Sequence, residues 1–598
     1  MPLQKRRNSR GNTRFDRGEN NFLTAEGKVV LCACPGSGKT YVVAQKLLKH
    51  VKSWNRPHQG VAVLSFTNVA SDEIGKQTKE LMPGGFEIAY PHYIGTLDSF
   101  INKYILLRFG YLMLKDPRRP TIAIKDVFTI PYNSWRHECR RKGCVENIHD
   151  FRWGMDGRLY HRKTLVECPP NNNRKHPPCY ECKQTLLKKG FIFQSEVSAL
   201  AYLLLIKYPE IAKAIATRFP IILLDEAQDT SIEQMAILDL ICDNGLESML
   251  LVGDPDQSIY EWRNATPECF IEKRDHVEWM TLPLTANFRS SQLICNATKA
   301  FSKTLENGEP STAKGSNADY RQKPLLLLYD GSIDNVKSKI TTRFLELCHA
   351  NNIVTASDNV AVVTRSRIHL DTEIPGLWKS KEVEFFAQSA FEWFAGSRKK
   401  AYTLCEKALY SICIGEIRDI EISIDVDIET TMSYELWRSK VIELLIRLPN
   451  PNQPINTWIA TMKTATTQTL SCIELSVRDS RTLDDIIKIK NRDQKNPNFK
   501  SIPLLKFFES KNITNHTLSS IHGVKGETYD ALLLLVESTR GNTLTPSFFN
   551  TGDLATELMR IAYVAMTRPR KLLVVAMPQV KNGKYERFPK DKWDYESL

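Results

Sequence analysis

Apolar and polar positions follow a regular alternation along much of the chain. From Gly27 onward, apolar runs of strand length are followed by longer segments whose apolar residues recur at helical spacing. The strand candidates of the first block are KVVLCAC, VAVLSF, IILLD and MLLVGD, with helical segments at 39–51, 69–81 and 232–242. Such alternation predicts a parallel sheet that is covered by helices on both faces.

A second block with the same alternation begins after Leu284. Its strand candidates are PLLLLYD, NVAVVT, HTLSSIHG, ALLLLVES and KLLVVAM, and its helical segments lie at 290–301, 335–349 and 553–567. The two blocks therefore predict an α/β fold class with two parallel-sheet cores.

Each block is interrupted by a segment that breaks the alternation. One is irregular, basic and cysteine-bearing, whereas the other is largely helical in pattern and contains the breaker sequence LPNPNQP. We interpret both as inserted domains. The predicted organisation is an arm at 1–20, a first core (1A) at 21–100 and 216–283, its insertion (1B) at 101–215, a second core (2A) at 284–400 and 511–598, and a reduced helical insertion (2B) at 401–510.

The charge of the 598-residue chain favours a polyanionic partner. Lys and Arg outnumber Asp and Glu by 81 to 68, a formal net charge of +13, and cations that neutralise phosphates release counterions and so drive binding. A mildly basic balance is also common among proteins that bind no nucleic acid. The arm at 1–20 carries six Lys and Arg without apolar periodicity, which predicts a disordered segment able to touch phosphate, or an inert tail.

Composition also bears on location. No apolar run reaches the ~18 residues of a membrane span, and no apolar segment follows the basic start, so we predict a cytoplasmic protein with no membrane partner. The 14 cysteines are dilute, and several, such as Cys32 and Cys34, lie in apolar runs. We expect most of them to be reduced core thiols.

The clearest candidate chemistry is a phosphate-binding loop between the first strand and the first long helix. Its glycines let backbone N–H groups close around phosphates at a helix N-terminus. The predicted ATP-binding residues are Pro35, Gly36, Ser37, Gly38, Lys39 and Thr40. Lys39 would reach the β and γ phosphates and Thr40 would ligate Mg²⁺. The motif asks for a glycine where this chain has Ala33, so a chance match is the alternative.

A second acidic motif, IILLDEAQD, ends an apolar strand with paired carboxylates. We predict that Asp225 holds Mg²⁺ and that Glu226 orients and deprotonates the attacking water. The alternative interpretation is a solvated turn. The phosphate loop in the same chain favours a hydrolytic site, because phosphoryl transfer requires positioning and charge neutralisation.

The motifs occur in an order that resembles the UvrD/Rep/PcrA group of superfamily 1 DNA helicases. They are LSFTNVA, IGTLDSF, DEAQD, GDPDQSIY, NFRS, SSIHGVKGE and ELMRIAYVAMTRPR. The resemblance covers both α/β cores and implies that these are RecA-like P-loop domains. It also implies an ATP hydrolase that acts as a DNA helicase, with 3′ to 5′ movement on single-stranded DNA.

The resemblance further implies roles for residues of both cores in nucleotide turnover. It implies that Gln257 couples the γ-phosphate to the DNA track, and that Arg289 and Arg568 reach the γ-phosphate from the second core. Phe288 would stack on adenine and Glu527 would bind the ribose hydroxyls. A surface ion pair is the alternative for either arginine.

On the DNA side, the resemblance implies contacts with single-stranded or tailed DNA. The residues concerned are Phe66, Thr67, Asn68, Thr96 and Trp262. Aromatic faces stack on any base, and hydroxyl or amide groups bind backbone phosphates, which gives grip without sequence preference. A core position is the alternative for Trp262.

Three positions depart from the family pattern. The segment NNFLTAEG lacks the glutamine that reads adenine, so nucleotide selectivity is not predicted. Thr528 stands where the family has its glutamate, one residue after Glu527. Asp98 replaces a histidine in IGTLDSF and would weaken the grip on DNA unless it points away.

The first insertion carries a candidate metal site. Its members are Cys139, Cys144, Cys168, Cys179 and Cys182. The last two form a C-x-x-C pair, which suits tetrahedral Zn²⁺ in a loop-rich setting. A structural zinc, unliganded thiols and an iron–sulphur cluster are the three interpretations.

Two functions remain open. One is a DNA helicase or translocase, including a stand-alone repair helicase. The other is a regulatory ATPase that senses DNA ends for a nuclease and unwinds little. The compact second insertion and the KGET sequence are similar to the UvrD-like subunit (GajB) of Gabija antiphage systems, which would imply an OLD-family, GajA-like nuclease partner in antiviral defence.

Overall fold

The structure is a computed structural model. It describes residues 17–82, 88–114, 119–123, 150–167, 178–365, 380–413, 433–472, 482–489, 499–506, 516–536, 544–580 and 585–598.

The strands, in chain order, are β1 Lys28–Ala33, β2 Val61–Ser65, β3 Tyr93–Thr96, β4 Thr121–Ala123, β5 Phe151–Trp153, β6 Leu159–His161, β7 Thr164–Leu165, β8 Phe191–Phe193, β9 Ile221–Leu224, β10 Ser248–Gly253, β11 Met280–Leu284, β12 Ala286–Asn287, β13 Thr312–Ala313, β14 Leu325–Tyr329, β15 Val360–Thr364, β16 Thr517–Ser520, β17 Tyr529–Leu535, β18 Pro569–Pro578 and β19 Asp594–Ser597.

The α-helices are Arg17–Thr24, Lys39–Lys52, Asn68–Leu81, Leu97–Phe100, Leu107–Phe109, Pro178–Lys188, Val197–Lys207, Pro209–Arg218, Ile232–Asp243, Pro267–Asp275, Gln292–Thr298, Ile333–Ala350, Lys381–Phe394, Arg398–Cys413, Tyr434–Arg447, Ile455–Cys472, Leu483–Ile486, Pro546–Thr551 and Glu557–Met566. A π-helix covers Ile101–Leu106. The 3₁₀ turns are Gly110–Leu112, Gln194–Glu196, Ala227–Asp229, Pro255–Gln257, Glu261–Arg263, Lys299–Phe301, Phe499–Ser501 and Ile521–Val524.

Two six-stranded parallel sheets confirm the predicted α/β fold. The first has the order β11-β1-β10-β9-β2-β3, and the second has the order β16-β15-β17-β18-β14-β19. In β1, Val30 packs in the apolar cluster on one face of the sheet, whereas Val29 and Leu31 pack in the cluster on the other face. Burial on both faces is why these strands read as continuous apolar runs.

The helix Arg17–Thr24 shortens the predicted disordered arm. The arm was expected to extend to residue 20, but a helix begins at Arg17. Its Phe22 side chain is fully buried in the cluster that also holds Val29 and Leu47. Burying this aromatic ring offsets the entropy of ordering the helix. Residues 1–16 lie outside the described part of the chain.

The first insertion shares the hydrophobic core of the first sheet. Phe151, Trp153, Leu186 and Phe193 belong to the same buried cluster as Val30 of β1. The insertion includes a small antiparallel sheet, β5-β6-β7, and the pair β4-β8. This shared core attaches the insertion to the first sheet through apolar packing as well as through the chain.

The second insertion has a core of its own. Buried side chains from Val383 to Leu504 form a separate cluster, which includes Trp437 and Trp458. The predicted boundary at residue 401 cuts through this cluster, because the helix Lys381–Phe394 already belongs to it. Within the described residues, the structure has no helix that is both long and apolar enough to cross a membrane.

A buried ion pair in the first insertion yields a stability prediction. Lys183 Nζ lies 2.7 Å from Glu196 Oε2, and both side chains are almost fully buried. Glu196 also accepts hydrogen bonds from the backbone N–H groups of Trp153 and Phe193. Lys183→Ala would leave the Glu196 charge buried without its cation, and we expect a loss of about 3–5 kcal/mol in the free energy of unfolding.

Urea denaturation followed by far-ultraviolet circular dichroism measures this loss. Lys188→Ala, at the exposed end of the same helix, is the matched control and should change stability by less than ~0.5 kcal/mol. Equal effects of the two substitutions would contradict the assignment.

Candidate nucleotide and nucleic-acid site

The phosphate loop joins β1 to the helix Lys39–Lys52 and has the backbone shape that a phosphate requires. Gly36 and Gly38 have φ values of 73° and 80°, in the left-handed region that favours glycine. The first N–H groups of the helix are therefore directed toward the loop. The Ser37 hydroxyl is buried and has no hydrogen-bond partner in the structure. An oxyanion of bound ATP would satisfy both sets of donors.

The residues predicted to hold Mg²⁺ lie together. The Thr40 hydroxyl donates to Asp225 Oδ2 at 3.3 Å, although the two residues are 185 positions apart in the chain. A hydroxyl and a carboxylate oxygen are the hard ligands that Mg²⁺ prefers, with water and phosphate oxygens completing its shell. The Thr40 and Asp225 oxygens could therefore ligate the metal of a Mg·ATP complex, and the Ser37 hydroxyl, which has no partner in the structure, could bind its phosphate.

The two adjacent carboxylates have different electrostatic environments. Burial and the neighbouring Glu226 charge raise the pKa of Asp225. Burial would also raise the pKa of Glu226, but the Lys39 and Lys525 ammonium groups and the Gln228 amide hold it below its usual range. Glu226 thus stays ionised, as a general base must be before it accepts a proton.

The backbone and the neighbouring amide fix the orientation of Glu226. Its φ of 54° is in the left-handed region, which is costly for a residue with a Cβ. Gln228 Nε2 donates to Glu226 Oε2 at 2.5 Å, and Gln228 Oε1 accepts from the backbone N–H of Asp254 at 3.0 Å. One amide side chain therefore links two acidic loops at the ends of β9 and β10.

Side chains of the second core reach this site. Arg568 Nη2 donates to Gln257 Oε1 at 2.8 Å, and Gln257 Nε2 donates to Asp254 Oδ2 at 2.5 Å. All three residues are buried. Arg289 donates to the backbone carbonyl of Thr567 at 3.1 Å, and burial lowers the pKa of Arg289 well below its usual value. The surface ion pair considered for these arginines does not apply.

Phe288 and Glu527 are both exposed, and Phe288 contacts the phosphate loop. The backbone N–H of Phe288 donates to the carbonyl of Gly36 at 2.8 Å, and 39% of the Phe288 residue is exposed. The ring is therefore accessible beside the phosphate loop. Glu527 is exposed at the turn after Ile521–Val524. The roles of both residues toward adenine and ribose stay predictions.

An aromatic strip lies where the two cores meet. We use this name for Phe66, Tyr260 and Trp262. The rings of Phe66 and Tyr260 are stacked with their centroids 5.1 Å apart, and the Trp262 ring meets Tyr260 edge-on at 6.3 Å. Trp262 is 66% exposed, which excludes the core position considered for it. The exposed Trp262 ring, beside the half-buried stack of Phe66 and Tyr260, is accessible to a base.

The polar residues predicted to contact DNA have local structural partners. The Thr67 and Thr96 hydroxyls accept hydrogen bonds from the backbone N–H groups of Ala70 and Ser99 and thereby cap two helices. Asn68 is exposed at the start of the first of these helices. The carboxylate of Asp98 accepts from Gln234 Nε2 at 2.7 Å. Part of its hydrogen-bonding capacity is thus used within the first core.

Several residues of the site were absent from the predicted set. Lys525 Nζ lies 2.5 Å from Asp229 Oδ2 in a buried ion pair between the cores, and the same ammonium group sits 4.4 Å from the centre of the Tyr260 ring. Burial raises the pKa of Asp229 to about 6 even though Lys525 lowers it. Gln228 and Asp254 were also missed. Lys525, Asp229, Tyr260, Gln228 and Asp254 all lie inside the quoted motifs. The spacing of those motifs is the signal that could have found them.

The zinc hypothesis stays open. Cys139, Cys144 and Cys168 lie outside the described residues. Cys179 and Cys182 are buried on the helix Pro178–Lys188 and pack in the apolar cluster of the first core. In the part of the chain that the structure describes, no group of three or more His, Cys, Asp or Glu side chains could hold a metal ion.

The fold and the loop geometry define a P-loop protein with two α/β cores that meet at a candidate nucleotide site. Residues 17–130 and 170–278 match the UvrD/REP helicase N-terminal domain. These two segments of the chain are thus similar in sequence to that helicase domain.

Curated relatives agree with this match. The chain is 26% identical over 317 residues to the ATP-dependent DNA helicase SRS2 of Saccharomyces cerevisiae, a match that covers 47% of this chain and 26% of the yeast protein. It is 24% identical over 295 residues to the ATP-dependent DNA helicase PcrA of Staphylococcus aureus, covering 48% of this chain and 39% of PcrA. The matched region thus spans well under half the length of either relative.

Close packing at Gly36 yields a prediction. A Cβ atom there would lie 2.7 Å from both Arg289 Cβ and Asn287 Oδ1, and the φ of 73° would be strained for alanine. We expect Gly36→Ala to weaken the binding of a fluorescent ATP analogue at least tenfold, measured by anisotropy. Gly75→Ala, where the added Cβ meets nothing within 4 Å, should bind the analogue as the parent does.

Proposed function

We propose that the chain is a DNA-stimulated ATPase that moves along single-stranded DNA, in the 3′ to 5′ direction. The observation that carries this proposal is the short segment from Asp254 to Trp262. Gln257 points to the nucleotide side, where it contacts Arg568. Tyr260 and Trp262, a few residues further on, form two members of the aromatic strip. In this proposal, a change in the position of Gln257 is transmitted along this short segment to Tyr260 and Trp262.

The chain's own residues account for hydrolysis as follows. Bound Mg·ATP supplies the electrophilic phosphorus and the metal charge that neutralises its oxygens. Lys39 and the loop N–H groups hold the phosphates, and ionised Glu226 accepts the proton of the attacking water. Arg289 and Arg568 place positive charge where it develops in the transition state, provided that the second core is docked.

Docking depends on ion pairs and hydrogen bonds between the cores. Lys525 pairs with Asp229, and Arg560 pairs with Glu261 while donating to the carbonyl of Ser258 at 2.7 Å. Because Lys525 also lies over Tyr260, the same side chain contacts both the acidic motif and the aromatic strip. Closure of the cleft and grip on DNA are therefore coupled in this proposal.

A second candidate function is an ATPase that senses DNA ends and regulates a nuclease partner. The second insertion favours this candidate function. Its described residues, within 380–506, form a compact helical body, and its small size is the feature that resembles the Gabija subunit. In this case DNA would stimulate hydrolysis, but strand separation would be weak. Antiphage defence with an OLD-family nuclease belongs to this candidate.

Substitution of the nucleotide site tests the motor. Lys39→Ala and Glu226→Gln should each reduce DNA-stimulated ATPase by about 10³-fold or more, because they remove phosphate neutralisation and the base. Phosphate release with and without single-stranded DNA is the measurement. Unchanged stimulation in both variants would refute the proposal. Unwinding of 3′-tailed but not 5′-tailed duplexes supports the motor, whereas ATPase without unwinding supports the sensor.

The contact across the cores gives a separate prediction. Arg568→Ala should lower the rate of hydrolysis by about 10³-fold while ATP binding is retained, since a guanidinium supplied across a cleft acts in the transition state. Arg570→Ala is the matched control. Arg570 Nη1 lies 3.1 Å from Asp530 Oδ1, so this arginine pairs with Asp530 and not with Gln257. Equal losses in the two variants would contradict the role of Arg568.

A further inference from the structure

A cavity in the second helical insertion belongs neither to the nucleotide site nor to the aromatic strip. It has a volume of about 330 Å³, within the range of ~300–1,000 Å³ that is typical of small-ligand pockets. One wall is the turn between the helices Lys381–Phe394 and Arg398–Cys413, and the other is the loop that follows the helix Tyr434–Arg447.

The first wall combines aromatic rings with a cation. The guanidinium carbon of Arg398 lies 3.8 Å from the centre of the Trp393 ring, and Arg398 Nη1 donates to the Trp393 carbonyl at 2.9 Å. This stacking holds the guanidinium at the mouth of the cavity. Phe394, next to Trp393, is 51% exposed although it is a large apolar ring. The wall therefore combines the exposed Phe394 ring with a positive charge that is held against Trp393.

The opposite wall is rigid. Pro449 and Pro451 are buried and have a fixed φ. The carbonyl of Pro449 accepts from Trp458 Nε1 at 2.9 Å, and the carbonyl of Pro451 accepts from the backbone N–H of Leu505 at 2.6 Å. These bonds tie the loop to the insertion's core. The cavity is thus formed before any ligand binds, which lowers the entropic cost of binding.

The charge of the cavity selects the kind of occupant. Among the described residues, its lining includes Arg398 and no carboxylate, and the chain has a formal net charge of +13. An aromatic side chain of a partner protein would need the ring face but not the cation. A nucleotide unit needs both, because a base stacks on aromatic faces and its phosphate attracts the guanidinium.

The topology fixes the two points at which the chain leaves the second sheet for the insertion and returns to it. The chain leaves the sheet at the carboxyl end of β15 and returns through β16, which is parallel to β15 and leads directly to His522 and Lys525. The chain therefore leaves for the insertion at the edge of the sheet where Lys525 meets the aromatic strip, and it returns at the opposite edge, at the amino end of β16.

We propose that this cavity binds one unstacked base of the DNA, with the base against Phe394 and Trp393 and the adjacent phosphate against Arg398. It would be a second grip on DNA outside the aromatic strip. This inference rests on the proposed function, since it requires that the chain binds single-stranded DNA.

Binding of the full-length chain to labelled single strands of increasing length tests the proposal by fluorescence anisotropy. Phe394→Ala and Arg398→Ala should each weaken binding of the longer strands fivefold or more, while the shortest strand that stimulates ATPase should bind and stimulate as before. An abasic nucleotide moved along a long strand should weaken binding by the parent at one position, and that penalty should disappear in Phe394→Ala.

Matched controls lie in the same insertion. Ile446→Ala removes an apolar side chain that is 62% exposed but outside the cavity, and Lys400→Ala removes a cation that pairs with Glu392. Both should bind long strands as the parent does, and melting temperatures check that all four variants fold. A flat abasic scan, or unchanged affinity of Phe394→Ala for long strands, would overturn the proposal. If the parent chain showed no DNA-stimulated ATPase, the proposed motor function would be contradicted instead. The anisotropy measurements would still report whether the cavity binds DNA.

Discussion

The hydrogen bond from Arg568 to Gln257 joins the two α/β cores through two buried polar side chains. The guanidinium is 2% exposed, and burial lowers the pKa of Arg568 while the carboxylates of Glu226 and Asp254 raise it. A buried cation is stable only when opposite charges and acceptors surround it. Val564 and Thr567 of its own core supply two of the acceptors, whereas Gln257 and the two carboxylates lie in the other core. The geometry of the nucleotide site is therefore a property of the interface, and neither core has it alone.

Parallel topology explains why so many loops meet at this interface. The carboxyl ends of parallel strands share one edge of a sheet, and ligands bind outside that edge. The phosphate loop follows β1, the acidic motif follows β9, and the segment with Gln257 follows β10. Phe66 follows β2 in the same way. The sheet brings together motifs that are separated by more than two hundred residues of chain, as Lys39 and Gln257 are.

The two insertions differ in how they are attached. The first extends the apolar cluster of the first sheet, so its position is fixed by the same packing that stabilises β1. The second has an apolar cluster of its own that contains two fully buried tryptophans. A body with a separate core can change its position relative to the sheets at little cost in buried area. The inferred base pocket is thus on a different structural unit from the aromatic strip.

The sequence alone determined the fold class, the two-block organisation and the motifs from which the site is built, because these depend on local periodicity and spacing. Lys39 and Asp225 could be named for that reason, whereas Arg568 was named through the family resemblance of its motif. The helix that begins at Arg17, within the predicted arm, could not be foreseen, since the burial of Phe22 depends on a surface that the local sequence does not contain. The second insertion's core likewise begins before the break in periodicity at residue 401.

Only the tertiary structure decided which motif residues touch one another. Lys525 and Asp229 are 296 positions apart, and nothing in either motif states that they form a buried pair. Three further features could not be deduced from the motifs. They are the exposure of Trp262, the capping role of Thr67 and the stacking of Arg398 on Trp393. Pairing, burial and charge environment depend on what packs opposite a residue, and that is set by distant parts of the chain.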